Sequence, residues 1–150
     1  MMATPVRKLI IDDIKTTLET ITTGNGYKST ASTVEVMAKS WLQVNEAIRP
    51  WLGIVPGSTK YEHLPNRLVR AIFQLHIIVH VANGTLEQKR ESLNNFEDDI
   101  WAALNVDTTR GLNAVSTTII ETETDEGAPE TEGTMVITAD VVFMRTTGST

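Results

Sequence analysis

Val6, Ile10, Ile14, Leu18 and Ile21 recur at spacings of four, four, four and three. That period follows one face of an α-helix, and Asp12, Asp13, Lys15 and Glu19 fall off the stripe. Thr4 can cap such a helix and Pro5 suits its first position. Gly24-Asn25-Gly26 stops it, because these residues tolerate positive φ. The pattern predicts a helix over 5–23.

From 28 to 65 the periodic segments are shorter. Thr33-Val34-Glu35-Val36 alternates as a short strand with both valines on one face. Trp41, Val44 and Ile48 fit a helical stripe that Pro50 must end. Trp51 to Val55 predicts a buried strand, Pro56-Gly57 a turn, and 59–64 a short arm that pairs back. The strongest alternation follows. Val69, Ala71, Phe73, Leu75, Ile77, Val79 and Val81 take consecutive odd positions, while Arg70, Gln74, His76 and His80 take even ones. Period two puts one face of this strand in the core and leaves the other partly wet. Asn83-Gly84 closes it.

Thr85-Leu86-Glu87-Gln88 is a capping box. With the stripe Leu86, Leu93, Phe96, Ile100, Ala103 and Leu104 it predicts a helix over 85–104, and Trp101 beside Ile100 reads as core. A polar connection around Gly111 leads to Ala114–Ile120, rich in Val, Ile and Thr. Met135, Ile137, Ala139, Val141 and Phe143 alternate in a last strand, so the chain ends in a long hairpin. The order of elements predicts one α+β domain over 1–150. One mostly antiparallel sheet lies packed under two amphipathic helices.

The charge is concentrated. Between the hairpin strands, over 121–132, six of twelve residues are acidic: Glu121, Glu123, Asp125, Glu126, Glu130 and Glu132. The formal net charge is −6, so these six account for all of it and the rest of the chain balances. Dense like charge predicts a protruding loop, solvated or ordered by a partner. An acidic chain is not expected to present a nucleic-acid-binding surface. With 41% hydrophobic and 21% charged residues, 150 residues can bury a core. No run approaches the ~20 apolar residues that span a bilayer, and acids at Asp12 and Asp13 interrupt any signal peptide. A soluble, cytosolic protein is expected.

Chemistry is sparse. The chain has no cysteine, which removes thiolate catalysis, disulfides and Cys-based metal sites. His76 and His80 would share one face of a helix, but on a strand they stand ~13 Å apart, too far for one ion. They read as two histidines on a polar sheet face. Asp12, Asp13 and Glu19, and likewise Glu97, Asp98 and Asp99, read as solvent-facing acids on amphipathic helices. His63 lies near Pro65 with no G-x-S-x-G turn in the chain, and the acidic loop lacks calcium-loop spacing. No catalytic, metal or cofactor constellation emerges. Trp41 and Trp51 suit core or interface equally. Trp51, Tyr61, Arg67 and Arg145 have the character of contact residues.

Taken in order, these pieces resemble the tail terminator family of long-tailed bacteriophages, also called tail completion or minor tail proteins. The resemblance rests on the helix ending in Gly26-Tyr27 and the strand Pro50-Trp51-Leu52-Gly53-Ile54. It continues with the long strand Arg67 to Val81 and the helix carrying Asp99-Ile100-Trp101-Ala102-Ala103-Leu104. Last come the acidic Thr124-Asp125-Glu126-Gly127 and Val141-Val142-Phe143-Met144-Arg145. Lys39 to Arg49 and the acidic hairpin's length have no counterpart in it. The resemblance implies a structural protein without enzymatic activity that assembles with itself as a hexameric ring. Such a ring caps the tail tube protein, joins it to the head–tail connector, and lets DNA pass without specific binding. It implies assembly in the host cytoplasm and a final place at the neck end of the virion tail. The acidic loop would line the lumen or reach a neighbour. Another tail-tube or head–neck connector subunit is the nearest alternative. A small-ligand-binding α+β domain is the third.

Overall fold

The computed structural model describes residues 5–125 and 133–146. The first helix, α1, spans Val6–Glu19 and buries Ile10, Ile14 and Leu18. Pro5 stands at its N-cap rather than inside the first turn, and its carbonyl accepts from the Leu9 N–H at 3.1 Å. Thr4 lies outside the described residues. The helix stops before 23: the Thr20 and Ile21 N–H groups donate to the Thr17 and Leu18 carbonyls, three residues back, and Thr22 is already extended. The Thr20 hydroxyl donates to the Thr17 carbonyl at 2.6 Å. A 3₁₀ turn, Thr23–Asn25, and Gly26 at φ 91° then redirect the chain.

Five strands form one mixed sheet in the order β1-β2-β3-β5-β4. They are β1 Thr33–Glu35, β2 Trp51–His63, β3 Leu68–His80, β4 Ser116–Thr124 and β5 Thr134–Thr146. β1 runs parallel to β2, and every other pairing is antiparallel. The second helix, α2, spans Leu86–Val106. Its capping box is complete: Thr85 Oγ1 accepts from the Gln88 N–H at 3.2 Å, and Gln88 Oε1 accepts from the Thr85 N–H at 2.9 Å. The two helices cover one face of the sheet. Ile10, Ile14, Leu18, Leu93, Phe96 and Ile100 meet Leu52, Ile54, Phe73, Leu75, Ile77, Ile137 and Val141 in one buried cluster. Each large side chain there contributes roughly 1.5–3 kcal/mol by leaving water. The fold is therefore α+β, one mostly antiparallel sheet under two helices.

Several expectations need correction. Pro56-Gly57 is not a turn, and 59–64 does not fold back on 51–55. β2 runs through to His63 and pairs with β3 along its length, with a register break between Pro56 and Thr59. The break absorbs the proline, which has no N–H to give. Gly57 is required there, because a Cβ would lie 2.7 Å from the Gln74 carbonyl oxygen. Val36 does not join Val34 on the buried side, since β1 ends at Glu35 and Val36 is exposed. The segment 40–49 forms two 3₁₀ turns, Trp41–Gln43 and Glu46–Ile48, rather than a helix. Trp101 is 55% exposed and not core. Asp99 takes the inward stripe position instead, one residue from Ile100.

Candidate interaction surface

The sheet face away from the helices carries the even positions of β3. Register places Arg70, Ile72, Gln74, His76, Ile78 and His80 beside Met144, Val142, Asp140, Thr138, Val136 and Thr134 of β5. Polar pairs hold this face together. Gln74 Nε2 donates to Asp140 Oδ1 at 3.3 Å, His76 Nδ1 and Thr138 Oγ1 lie 3.0 Å apart, and Arg70 stands 3.8 Å from Glu62. Half-buried Ile72, Ile78, Val136 and Val142 separate the polar pairs. Ser58, Lys60, Ile72, Gln74 and Asp140 line a shallow cavity of about 180 Å³ beside the β2 register break. His76 and His80 lie on one strand with separate partners, as period two requires.

At one end this face is closed by the chain itself. The Trp51 and His80 rings stack at 5.3 Å, and Trp41 meets the His80 ring edge-on at 5.7 Å. His80 Nε2 lies 2.7 Å from the Lys39 carbonyl oxygen, which makes this nitrogen the donor. Arg49 lies over Trp41 at 3.7 Å and donates to the carbonyls of Trp41 and Val44. The Trp51 indole N–H donates to Glu35 Oε1 at 3.1 Å. That bond, followed by Lys39, holds the Glu35 carboxyl below the ordinary glutamate range. Gly53 lets the indole lie flat, because a Cβ there would meet Trp51 at 2.2 Å. Trp51 is wholly buried, so it is corrected from a contact residue to the centre of a second, aromatic core.

The other contact candidates gather at the opposite end of the sheet. Tyr61 is 52% exposed and pairs across from Ala71. Arg145 is exposed opposite Val69, and Arg67 sits at φ 60° in the turn between β2 and β3. The acidic stretch is shorter as a loop than 121–132. Thr122 pairs with Ile137 and Thr124 with Met135, which carries Glu121 and Glu123 into β4. The Asp125 N–H donates to the Thr134 carbonyl. Glu126, Glu130 and Glu132 lie outside the described residues. Glu121 and Glu123 share one face, and the hydrogen bond and repulsion from Glu123 raise the Glu121 carboxyl above its ordinary value. His76 works weakly against that rise.

Two buried charges depart from the sequence reading: Asp99, which reads as a solvent-facing helix acid, and Arg110, which that reading does not single out. Asp99 is 4% exposed, and its Oδ1 accepts from the Lys28 N–H at 3.0 Å. The spacing Phe96, Asp99, Ile100, Ala103 was the available signal, since three and four residues apart means one face. Arg110 is wholly buried below the end of α2. It donates to the carbonyls of Leu104 and Asp107, and its Nη1 stands 3.3 Å from Asp13 Oδ1. Burial pushes the Asp13 carboxyl up, against the pull of Arg110. Asp107 accepts from the Thr109 hydroxyl and the N–H groups of Gly111 and Thr109, which lowers it to about 2. No sequence period reports this loop, because its partners come from α1 and from the end of α2.

Among the described residues no three His, Cys, Asp or Glu side chains converge as metal ligands. No helix among them is long and apolar enough to cross a membrane. On the side away from the helices the geometry offers a half-apolar sheet face bounded by two strand edges. No family model and no curated protein matches this chain.

Proposed function

We propose that this chain is a structural subunit of a phage tail, a terminator-like protein that closes into a ring on the end of the tail tube and meets the head connector. The observation that carries the reading is the uncovered sheet face beside the acid-bearing β4–β5 hairpin. Ile72, Ile78, Val136 and Val142 are only half-buried there, which leaves a subunit apolar area to cover in assembly. The acids suit a passage for DNA, because like charge keeps the duplex from sticking. The element order in the sequence is the second support. On this reading the ring assembles in the host cytoplasm and ends at the tail neck.

Native mass spectrometry over a concentration series, with negative-stain imaging, tests this directly. A closed six-membered ring, formed alone or on added tail tubes, is expected. Open-ended tubes would make the chain a tube subunit instead. Failure to bind tube ends under any condition would end the reading. Replacing Asp125, Glu126, Glu130 and Glu132 by their amides, with Glu121 and Glu123 kept, would separate a solvated tip, which leaves tail joining intact, from a contact, which does not. The shallow cavity around Lys60 and Asp140 supports one other reading, a small-ligand site. A metabolite that raises the melting temperature of a monomer would favour that reading.

A further inference from the structure

The outer strands of the sheet run in opposite directions. Three successive antiparallel pairings carry β2 from Trp51 toward His63 and β4 the other way, from Ser116 toward Thr124. A second copy set beside the first with the same face outward brings its β4 antiparallel to this β2, so the alternation of the sheet continues. Among the described residues both edges present backbone N–H and C=O groups without a strand partner, and Arg7 donates to one of them, the Gly57 carbonyl, at 3.0 Å. The β2 edge is free only in part, because β1 pairs with Trp51, Leu52 and Gly53. From Ile54 to His63 no strand among the described residues takes it.

The charges match. Glu121 and Glu123 face the open side of β4 and make no ion pair among the described residues; each has the other as its neighbour. On β2, Lys60 faces the same side and makes no ion pair among the described residues, while Glu62 is met by Arg70. Half-exposed apolar side chains accompany both edges, Ile120 at the β4 register break and Tyr61 on β2.

We propose that copies of this chain join edge to edge, β4 of one copy adding antiparallel to the 54–63 stretch of β2 in the next, with Glu121 and Glu123 meeting the neighbouring copy's Lys60. The contact rests on the ring reading above and gives it an interface. A level pairing is blocked. Glu123 lies level with Val136, Ile78 and Gly53, where β1 already sits. Sliding β4 toward the β2–β3 turn clears β1. Glu121 lies level with His76 and Lys60 with Ile72, so a slide of four residues sets them side by side. The same slide repeated at every contact tilts the strands against the ring axis, which is how a sheet closes on itself. The contact is heterologous, with different surfaces on its two sides, as a ring requires.

The absence of cysteine makes the test clean. Full-length chain carrying Lys60→Cys with Glu121→Cys, or with Glu123→Cys, is oxidised mildly and run without reductant. A ladder that ends in one closed species is expected from at least one pair, and none from Lys60→Cys with the helix-face control Glu97→Cys. Separately, Lys60→Glu should weaken self-association by about tenfold or more, the scale of one close charge pair. Adding Glu121→Lys and Glu123→Lys should restore it, with the far-ultraviolet circular dichroism of the monomer unchanged throughout. Rings in native mass spectrometry without cross-links from either pair, or without charge-swap rescue, would overturn the edge contact and leave the ring reading standing. No oligomer from the unaltered chain, even with tail tubes present, would overturn both.

Discussion

On the helix side of β3, Val69, Ala71, Phe73, Leu75, Ile77 and Val79 are all buried, whereas on the other side Ile72, Gln74, His76 and Ile78 are only half-buried. The same strand thus meets two environments. The first is finished by α1 and α2 within the chain. The second is finished only at one end, where Trp41 and Trp51 close over His80. Polar pairs tie the remainder together without filling it. In the proposed ring, assembly would finish this second environment.

Truncation should show the largest contrast. Phe73→Ala on the helix side is expected to cost ~3–5 kcal/mol in denaturant unfolding, and Ile72→Ala on the open side ~1 kcal/mol, because the open site has fewer neighbours to lose. Equal losses would mean that the second face is as closed as the first. Next in size, Arg110→Met should cost about 3 kcal/mol, since it leaves the carbonyls of Leu104 and Asp107 without their donor and Asp13 without its cation. Arg110→Lys should recover little, because one ammonium cannot span three oxygens in that fork. Trp51→Phe should be milder, about 1–2 kcal/mol. It keeps the stack on His80 and loses the N–H bond to Glu35. Near-ultraviolet circular dichroism would report the change in the aromatic cluster.

The smallest effects are in pH, and they oppose each other across the two faces. Asp107, on the helix side, titrates at about 2 in the folded chain, below its ordinary 3.8. Its contribution is present above about pH 4 and is lost as pH falls toward 2, and Asp107→Asn should remove that part of the acid loss. Glu121, on the open side, is raised above its ordinary 4.5. The folded chain holds that proton better, so stability falls as pH rises through the interval above 4.5, and Glu121→Gln should flatten it. Melting temperatures of the two variants across pH 2–7 would read both signs. The same sign in both would break the distinction between the faces.

Much of this architecture is written in local order. The stripe from Ile10 to Leu18, the alternation from Val69 to Val79 and the Thr85–Gln88 box each record which side of one element meets the core. A period is local, so α1, β3, α2 and the α+β class could be read without the tertiary structure. What periods cannot record is which parts of the remaining surface are met by a distant segment. Pro56-Gly57 reads locally as a turn, yet pairing with the long partner β3 keeps β2 running through it. Asp99 reads as a surface charge and nothing local marks Arg110, yet Lys28 and Asp13 arrive from the N-terminal part of the chain to make their burial tolerable. Trp51 reads equally as core or interface, and only the return of 37–49 over the second face decides it. Local period was enough for α1, β3 and α2 and for most of the buried side of each. The tertiary structure decided the fate of the other side, because that depends on contacts between residues far apart in the chain, whose meeting leaves no repeat in either segment.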